Sequence, residues 1–449
     1  MQNRSVNMLS GSVTKGMISM ILPIMAMNVI ATIYNIVDLT FLKTYSSDLS
    51  VGAVGACSSI STLCTNILVG IAAGANVVAA RHIGAGNRDR ADKTAATSVY
   101  LSVFGGLTLT VVGLLFAETF LRQTNCHESL LPEAVRYFRL YFCGMPVFML
   151  YTFGASLLRS TGDTKRPMYI SLLCGGVKVL LTYASLALLD MGVTGVAAAT
   201  LLSNLFACAL TYLTLIKFQN ILTVSLKPSQ VSFPDLKNIL HTGIPAGLQS
   251  SLYSFANVVI TSTVNTFGAD ATTGLSIANQ FDGLLYQVCH APSLAIAPYI
   301  SQNIGAGNIH RVKKSLRSSI LITIAFGATL GTFSAVFSRQ LAGIMSSTPT
   351  AIAYAQQKMV IVSSTYFICG INEVMSGALR GMGKPIVPTV ATFVYMFLLR
   401  IVWVYLIFPH CPNMTFLYAV WPIGWLLSIV TLSTFYIAEI TKLQRQSAF

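Results

Sequence analysis

The sequence predicts an all-α membrane protein of twelve transmembrane helices arranged as two pseudo-symmetric six-helix lobes. Composition, hydropathy runs and an internal repeat predict it. Of 449 residues, 54% are hydrophobic and only 9% charged, whereas a soluble domain is about a quarter charged. Apolar runs of about 20 residues, long enough to cross a hydrocarbon core of about 30 Å, fall near 17–42, 51–80, 94–117, 137–158, 168–189, 191–216, 239–267, 271–300, 318–338, 359–379, 385–408 and 414–438. These runs are continuous rather than alternating, so helices and not barrel strands satisfy their backbones.

The first span follows Arg4 and Lys15 without a small-residue cleavage site and reads as a retained helix, not a signal peptide. Pro23 lies within it and can bend it. The second span ends at Ile83-Gly84-Ala85-Gly86-Asn87, which recurs after the eighth as Ile304-Gly305-Ala306-Gly307-Asn308. The fourth ends at Leu158-Arg159-Ser160-Thr161-Gly162, which recurs after the tenth as Leu379-Arg380-Gly381-Met382-Gly383. Pro167 pairs with Pro388, and Pro23 with Pro245, so every repeat sits at an offset of 221 or 222. The glycines read as helix terminators, which need a left-handed turn, in preference to ligand loops. Arg159 and Arg380 are expected to meet lipid phosphate or helix C-terminal carbonyls. Six spans return the chain to its starting side, so the lobes, 1–220 and 238–449, are parallel repeats joined by a cytoplasmic linker at 221–237.

The formal net charge of +14 invites a nucleic-acid reading, but its distribution explains it otherwise. With both termini in the cytoplasm, twenty of the 28 Lys and Arg fall in inner segments. Six, including Lys43, Arg339 and Lys358, fall in outer ones, and Lys178 and Arg400 lie within spans. This is the positive-inside pattern of a multi-pass protein of the bacterial cytoplasmic membrane, with the bilayer and not nucleic acid as partner. The nine cysteines form no CxxC pair and read as small packing residues; Cys126 and Cys411 fall in outer loops, and no disulfide is expected. The stretch from Ser160 to Lys165 lacks the first glycine and the final hydroxyl of a nucleotide-binding P-loop, so ATP drive is not encoded. No cofactor or metal is expected.

The paired Ile-Gly-Ala-Gly-Asn loops, the paired Leu-Arg-x-x-Gly loops and Tyr34-Asn35-Ile36-Val37-Asp38 in the first span resemble the multidrug and toxic compound extrusion (MATE) family, nearest to its DinF-like bacterial branch. The resemblance covers nearly the whole chain. It implies two lobes around a central cavity and export of organic compounds by alternating access in exchange for H⁺ or Na⁺.

Five charged residues lie well inside spans: Asp38, Lys178, Asp282, Glu373 and Arg400. Each costs about 2.5 to 3.5 kcal/mol at a bilayer centre, so each needs a partner, a cavity or a function. Tyr34, Asn35 and Asp38 share one helix side, and the resemblance implies that a first-helix aspartate here binds the coupling cation; the alternative is a solvated carboxylate near the outer mouth. The DinF-like pattern also implies an asparagine and an aspartate on the fifth helix, where this chain has Lys178 and Thr182, while Thr200 matches the sixth-helix threonine. A Na⁺ site needs several convergent oxygens, so H⁺ is the expected ion rather than Na⁺. Lys178 is read as a resident cation paired with Asp38, since opposite charges about 4 Å apart attract by about 4 kcal/mol at an effective dielectric of 20. The alternatives are lipid contact or, because Arg400 occupies the equivalent place in the second repeat, an anionic substrate. The NorM-like branch implies a seventh-helix glutamate where this chain has Tyr253.

Asp282 reads as a helix-packing residue or a site. Glu373 either faces the cavity or caps the Arg380 loop. Cavity-lining candidates, chosen by residue type, are Tyr34, Met27, Gln249, Tyr253, Asn257, Gln280, Glu373 and Arg400, with Met17, Met20, Met25, Asn279 and Gln287 near them. Methionines and aromatics interrupted by amides suit varied amphipathic ligands, although methionines fill cores equally well. The expected function is a monomeric H⁺-coupled exporter of drug-like compounds. The alternative is a flippase or exporter of lipid-linked saccharides or anionic metabolites; a receptor or channel fits the repeat less well.

Overall fold

The computed structural model describes residues 5–46, 48–124, 126–218, 221–225 and 227–446. Arg4, the first lobe's expected end at 220 and the last residues of the second lobe lie outside the described residues. The helices are α1 (Val13–Tyr45), α2 (Asp48–Gly84), α3 (Arg88–Gln123), α4 (Leu131–Cys143), α5 (Met145–Ser160), α6 (Lys165–Tyr183), α7 (Gly192–Phe218), α8 (Phe233–Asn265) and α9 (Ala269–Gly305). Then come α10 (Ile309–Val336), α11 (Ser338–Met345), α12 (Pro349–Val362), α13 (Tyr366–Gly381), α14 (Ile386–Thr392), α15 (Leu399–Val402), α16 (Met414–Tyr418) and α17 (Val420–Gln446). The described residues contain no strand.

Among the described residues, nine helical segments are long and apolar enough to cross a membrane, and the α4–α5 pair, bent by 46°, makes a tenth. The remaining two of the twelve are α8 and α9, at 33 and 37 residues. Each is about 50 Å or longer, but amides such as Gln249, Asn257, Asn279 and Gln280 lower its hydropathy. The tenth span begins earlier than expected, at Pro349, and runs through α12 and α13 to Gly381.

The chain forms two compact units, one of residues 1–6 and 26–244, the other of 7–25 and 245–449. Their bounds therefore differ from lobes cut at 220 and 238. The difference arises inside two continuous helices, because the first half of α1 packs in the second unit and the first turns of α8 pack in the first. Met17, Met20 and Ile21 are fully buried, and Thr14 hydrogen-bonds Ser318 at 2.9 Å. Gly74 and Gly243 let α2 and α8 approach backbone to backbone, since a Cβ on Gly74 would strike Ile239 O and Gly243 N.

Both repeated loops are the turns their glycines suggest. Gly86 and Gly307 each have φ of +70°, and the asparagine that follows caps the next helix, Asn87 accepting from Arg90 N and Asn308 from Arg311 N. Gly162 and Gly383 turn with φ of +85° and +82°. The first unit's core stacks Phe138 on Phe142 at 4.3 Å, and the second buries Tyr366, Tyr418, Trp421 and Trp425 together.

Candidate functional site

In the first unit, the later half of α1 and the middle of α6 bring Asp38, Lys178 and Thr182 together. Lys178 Nζ lies 2.5 Å from Asp38 Oδ2, and Thr182 Oγ1 donates to Asp38 Oδ1 at 3.2 Å. Lys178 and Thr182 are one turn apart and share a face. Asp38 is 7% exposed, so both carboxylate oxygens meet protein donors rather than open solvent. The helices approach this closely because Tyr34 lies over Gly175, where a Cβ would fall within the ring; its hydroxyl donates to Leu172 O at 3.0 Å. Just beyond Thr182, α6 loosens into a π-helical stretch at Ala184–Leu188, a feature common at functional sites.

Asp38 and Lys178 form part of the wall of a cavity of about 630 Å³ within the first unit, with Thr182 fully buried behind them. Tyr34, Asn35 and Thr200 also line it, with Asn66, Tyr137, Tyr141, Tyr151 and Asn204 supplying further amides and aromatic faces. Thr200 spends its hydrogen on Val196 O, 2.9 Å away, leaving its oxygen towards the site as an acceptor only. Met27 is not in the cavity wall, and Met17, Met20 and Met25 are buried core residues of the second unit.

The second unit holds a further ion pair that the sequence reading missed. Lys358 Nζ lies 2.8 Å from Asp282 Oδ2 and also donates to Asn279 Oδ1, while Ser363 Oγ donates to Asp282 Oδ1 at 3.2 Å. The ammonium sits 5.4 Å from the Trp421 ring centre. Lys358, assigned above to an outer segment, is 2% exposed, because α12 carries the tenth span back to Pro349. The available signal was Asn279 and Asp282 at i and i+3, a polar face inside a span that requires a cationic partner.

Arg400, the repeat equivalent of Lys178, does not reproduce its pairing. It occupies a single α-helical turn between π-helical stretches at Phe393–Leu398 and Trp403–Ile407. Its Nη1 donates to Asn257 Oδ1 at 2.7 Å, and its guanidinium lies 4.7 Å from the Trp421 ring. Among the described residues no carboxylate pairs with it.

Arg380 corrects the expectation of lipid phosphate or C-terminal carbonyls. It is buried and donates to Gln249 Oε1 at 2.9 Å and Ser293 Oγ at 2.8 Å, as a helical side chain directed back along its own helix into the bundle will do. Tyr253 accepts from Asn372 Nδ2 at 3.0 Å. Glu373 does not cap that loop: its Oε2 lies 3.7 Å from His290 Nε2, and its buried Oε1 has no hydrogen-bond partner among the described residues. Gln280 is exposed, and Gln249, Tyr253 and Asn257 each meet a different partner, Arg380, Asn372 and Arg400.

The two repeats of the chain are each matched by a known family. Two copies of the MatE family model fit the chain, at residues 23–184 and 245–406. The chain is a member of the MATE family. The two MATE matches are displaced from one another by the offset of the internal repeat. This MATE protein is 28% identical over 394 residues to a probable multidrug resistance protein NorM of Thermotoga maritima, covering 87% of this chain and 84% of that one. It is 25% identical to an FAD transporter of Shewanella oneidensis, over 78% of each chain. Its fold matches a crystal structure of MATE in the bent conformation with a TM-score of 0.93 at 21% identity over the full length of both. The MATE chain is thus a multi-pass membrane transporter, not an enzyme.

Proposed function

We propose that this MATE protein is a secondary antiporter that exports organic, drug-like compounds by alternating access and is driven by H⁺ rather than Na⁺. The observation that carries the choice of ion is the pair between Lys178 and Asp38, at 2.5 Å. An ammonium there occupies the position that a coupling Na⁺ would need, and the threonine beside it supplies one neutral oxygen where a cation requires several. A proton arriving at Asp38 cancels the attraction, releases Lys178 and gives α1 two states that differ by one proton. The multidrug resistance name of the Thermotoga relative supports the substrate class, as do the aromatic and amide walls of the cavity. The reading places both termini in the cytoplasm of a bacterial cell, the chain in the inner membrane, and a single chain as the working unit.

The test is transport in proteoliposomes. The parent should respond to an imposed pH gradient and ignore a Na⁺ gradient, and Lys178→Asn with Thr182→Asp should gain Na⁺ dependence. Robust Na⁺-driven efflux by the unmodified protein overturns the proposal.

A second reading, export of an anionic metabolite, is favoured by Arg400, which faces amide and aromatic groups without a carboxylate, and by the FAD transporter among the relatives. Competition of a flavin dinucleotide against a cationic dye in the same vesicles separates the two.

A further inference from the structure

A groove on the second unit lies between the start of α10 and the end of α17, outside everything assigned above. Its volume is about 410 Å³. On α10 it takes positions 313, 316, 317, 320 and 321, and on α17 positions 436, 437, 440, 441 and 444. Each set is one helical stripe, so the groove follows both helices for about 12 Å. The helices run in opposite directions here, which sorts the lining by depth. Lys313, Arg317, Thr441 and Gln444 stand at the mouth, and Ile320, Leu321, Tyr436 and Ile437 lie at the opposite, apolar end.

Two further features point to a ligand. The lining holds two cations and no carboxylate, and neither Lys313 nor Arg317 has an ion-pair partner among the described residues. Tyr436, 8% exposed and in the same wall, has a buried hydroxyl without a hydrogen-bond partner among the described residues.

We propose that this groove is a specific site for an anionic glycerophospholipid, its phosphate held by Lys313 and Arg317 at the mouth and an acyl chain running along Ile320, Leu321 and Ile440 towards Tyr436. Basic pockets between helices at the membrane surface recognise anionic headgroups, and a stripe that turns from cationic to apolar over two helical turns matches a lipid's own gradient. Lys and Arg near the start of α10 direct their side chains towards the helix N-terminus, which is the mouth. Because the groove lies apart from Asp38 and Lys178, the inference stands independently of the choice of coupling ion.

The test is native mass spectrometry of the purified full chain in detergent with equimolar dioleoyl phosphatidylglycerol and dioleoyl phosphatidylcholine. The parent should retain phosphatidylglycerol at least tenfold over phosphatidylcholine. Lys313→Glu with Arg317→Glu should abolish the preference, and Arg339→Glu, a cation on α11, should leave it intact. Leu321→Trp, which fills the groove and keeps its charges, should also lose the bound lipid and carries the test if the double variant fails to fold. Equal retention of the two lipids overturns the proposal, as does a preference that survives both groove variants. Displacement by glycerol phosphate alone would assign the site to a free phosphate instead, and a dimer abolished by the double charge reversal would assign it to a second copy of the chain.

Discussion

Lys358 reaches Asp282 at 2.8 Å inside the second unit, on helices other than those that bring Lys178 to Asp38 in the first. The internal repeat relates Lys178 to Arg400, yet ammonium and carboxylate meet again through α9 and α12. Each unit therefore neutralises one buried carboxylate with one lysine, by two unrelated placements.

Removing one partner of the Asp282 pair should be far worse than removing both. Lys358→Met leaves a buried carboxylate without its cation and should cost about 3 to 5 kcal/mol, whereas Lys358→Met with Asp282→Leu should return close to the parent or exceed it. Thermal unfolding in detergent measures the difference; equal losses in the single and double variants would show that the two residues do not act as a unit.

Asp38→Asn should end pH-driven efflux while the protein remains monodisperse on size exclusion. Its amide still accepts from Thr182 but cannot take up and release the proton. A variant that pumps as well as the parent under an imposed proton gradient assigns Asp38 a purely structural role.

Gly175→Ala should push Tyr34 off the cavity wall, since the new methyl group competes with the ring for the same space. Overpacking of this kind costs about 1 to 3 kcal/mol, and loss of the Tyr34 contact with Leu172 O should weaken substrate binding in a ligand-quenching titration. Tyr34→Ala in the Gly175→Ala background should restore stability but not affinity.

Acid sensitivity should report Asp235, at the start of α8. Burial alone raises its carboxyl, but the hydrogen bonds from His82 and Ser232 and the charges of His82 and Arg90 more than offset that, holding it below its ordinary value of 3.8. A carboxyl depressed in the folded state contributes stability above its ordinary value and loses it as pH falls through the folded value. The melting temperature of Asp235→Asn should therefore change less than that of the parent below about pH 4, with His82 at 3.2 Å as the partner lost on protonation.

Orientation is testable at the repeated turns. Gly86 and Gly307 have left-handed backbones, so the probes belong on their exposed neighbours. Ala85→Cys and Ala306→Cys, in a background lacking the native cysteines, should react with impermeant thiol reagents only from the cytoplasmic side. Labelling in intact cells from outside would reverse the proposed topology.

Much of this was legible in the sequence for identifiable reasons. The spans follow from hydropathy, the repeated turns from glycine and asparagine at fixed places, and the grouping of Lys178 with Thr182 from helical spacing alone. Lys358 was misplaced because a span boundary judged by hydropathy fell too late at its polar end. Arg380 was misread because charge alone does not say whether an arginine at a helix end turns outward or back into the bundle. The partners of Arg400 and Asp282 depended on which helices are neighbours, and no local pattern encodes that.

The division of α1 between the two units has a consequence for biogenesis. The carbonyls of Met8, Ser10 and Gly11 are held by Arg311, and Met8 O also accepts from Asn303, partners that lie far downstream in the chain. At about 5 to 20 residues per second, the ribosome takes roughly a quarter of a minute to a minute to deliver them. During that interval the opening half-helix is already synthesised but has no surface to settle on, and the insertion machinery or lipid must shelter it. A deletion of residues 7–25 should therefore injure the half of the protein made last, not the half made first.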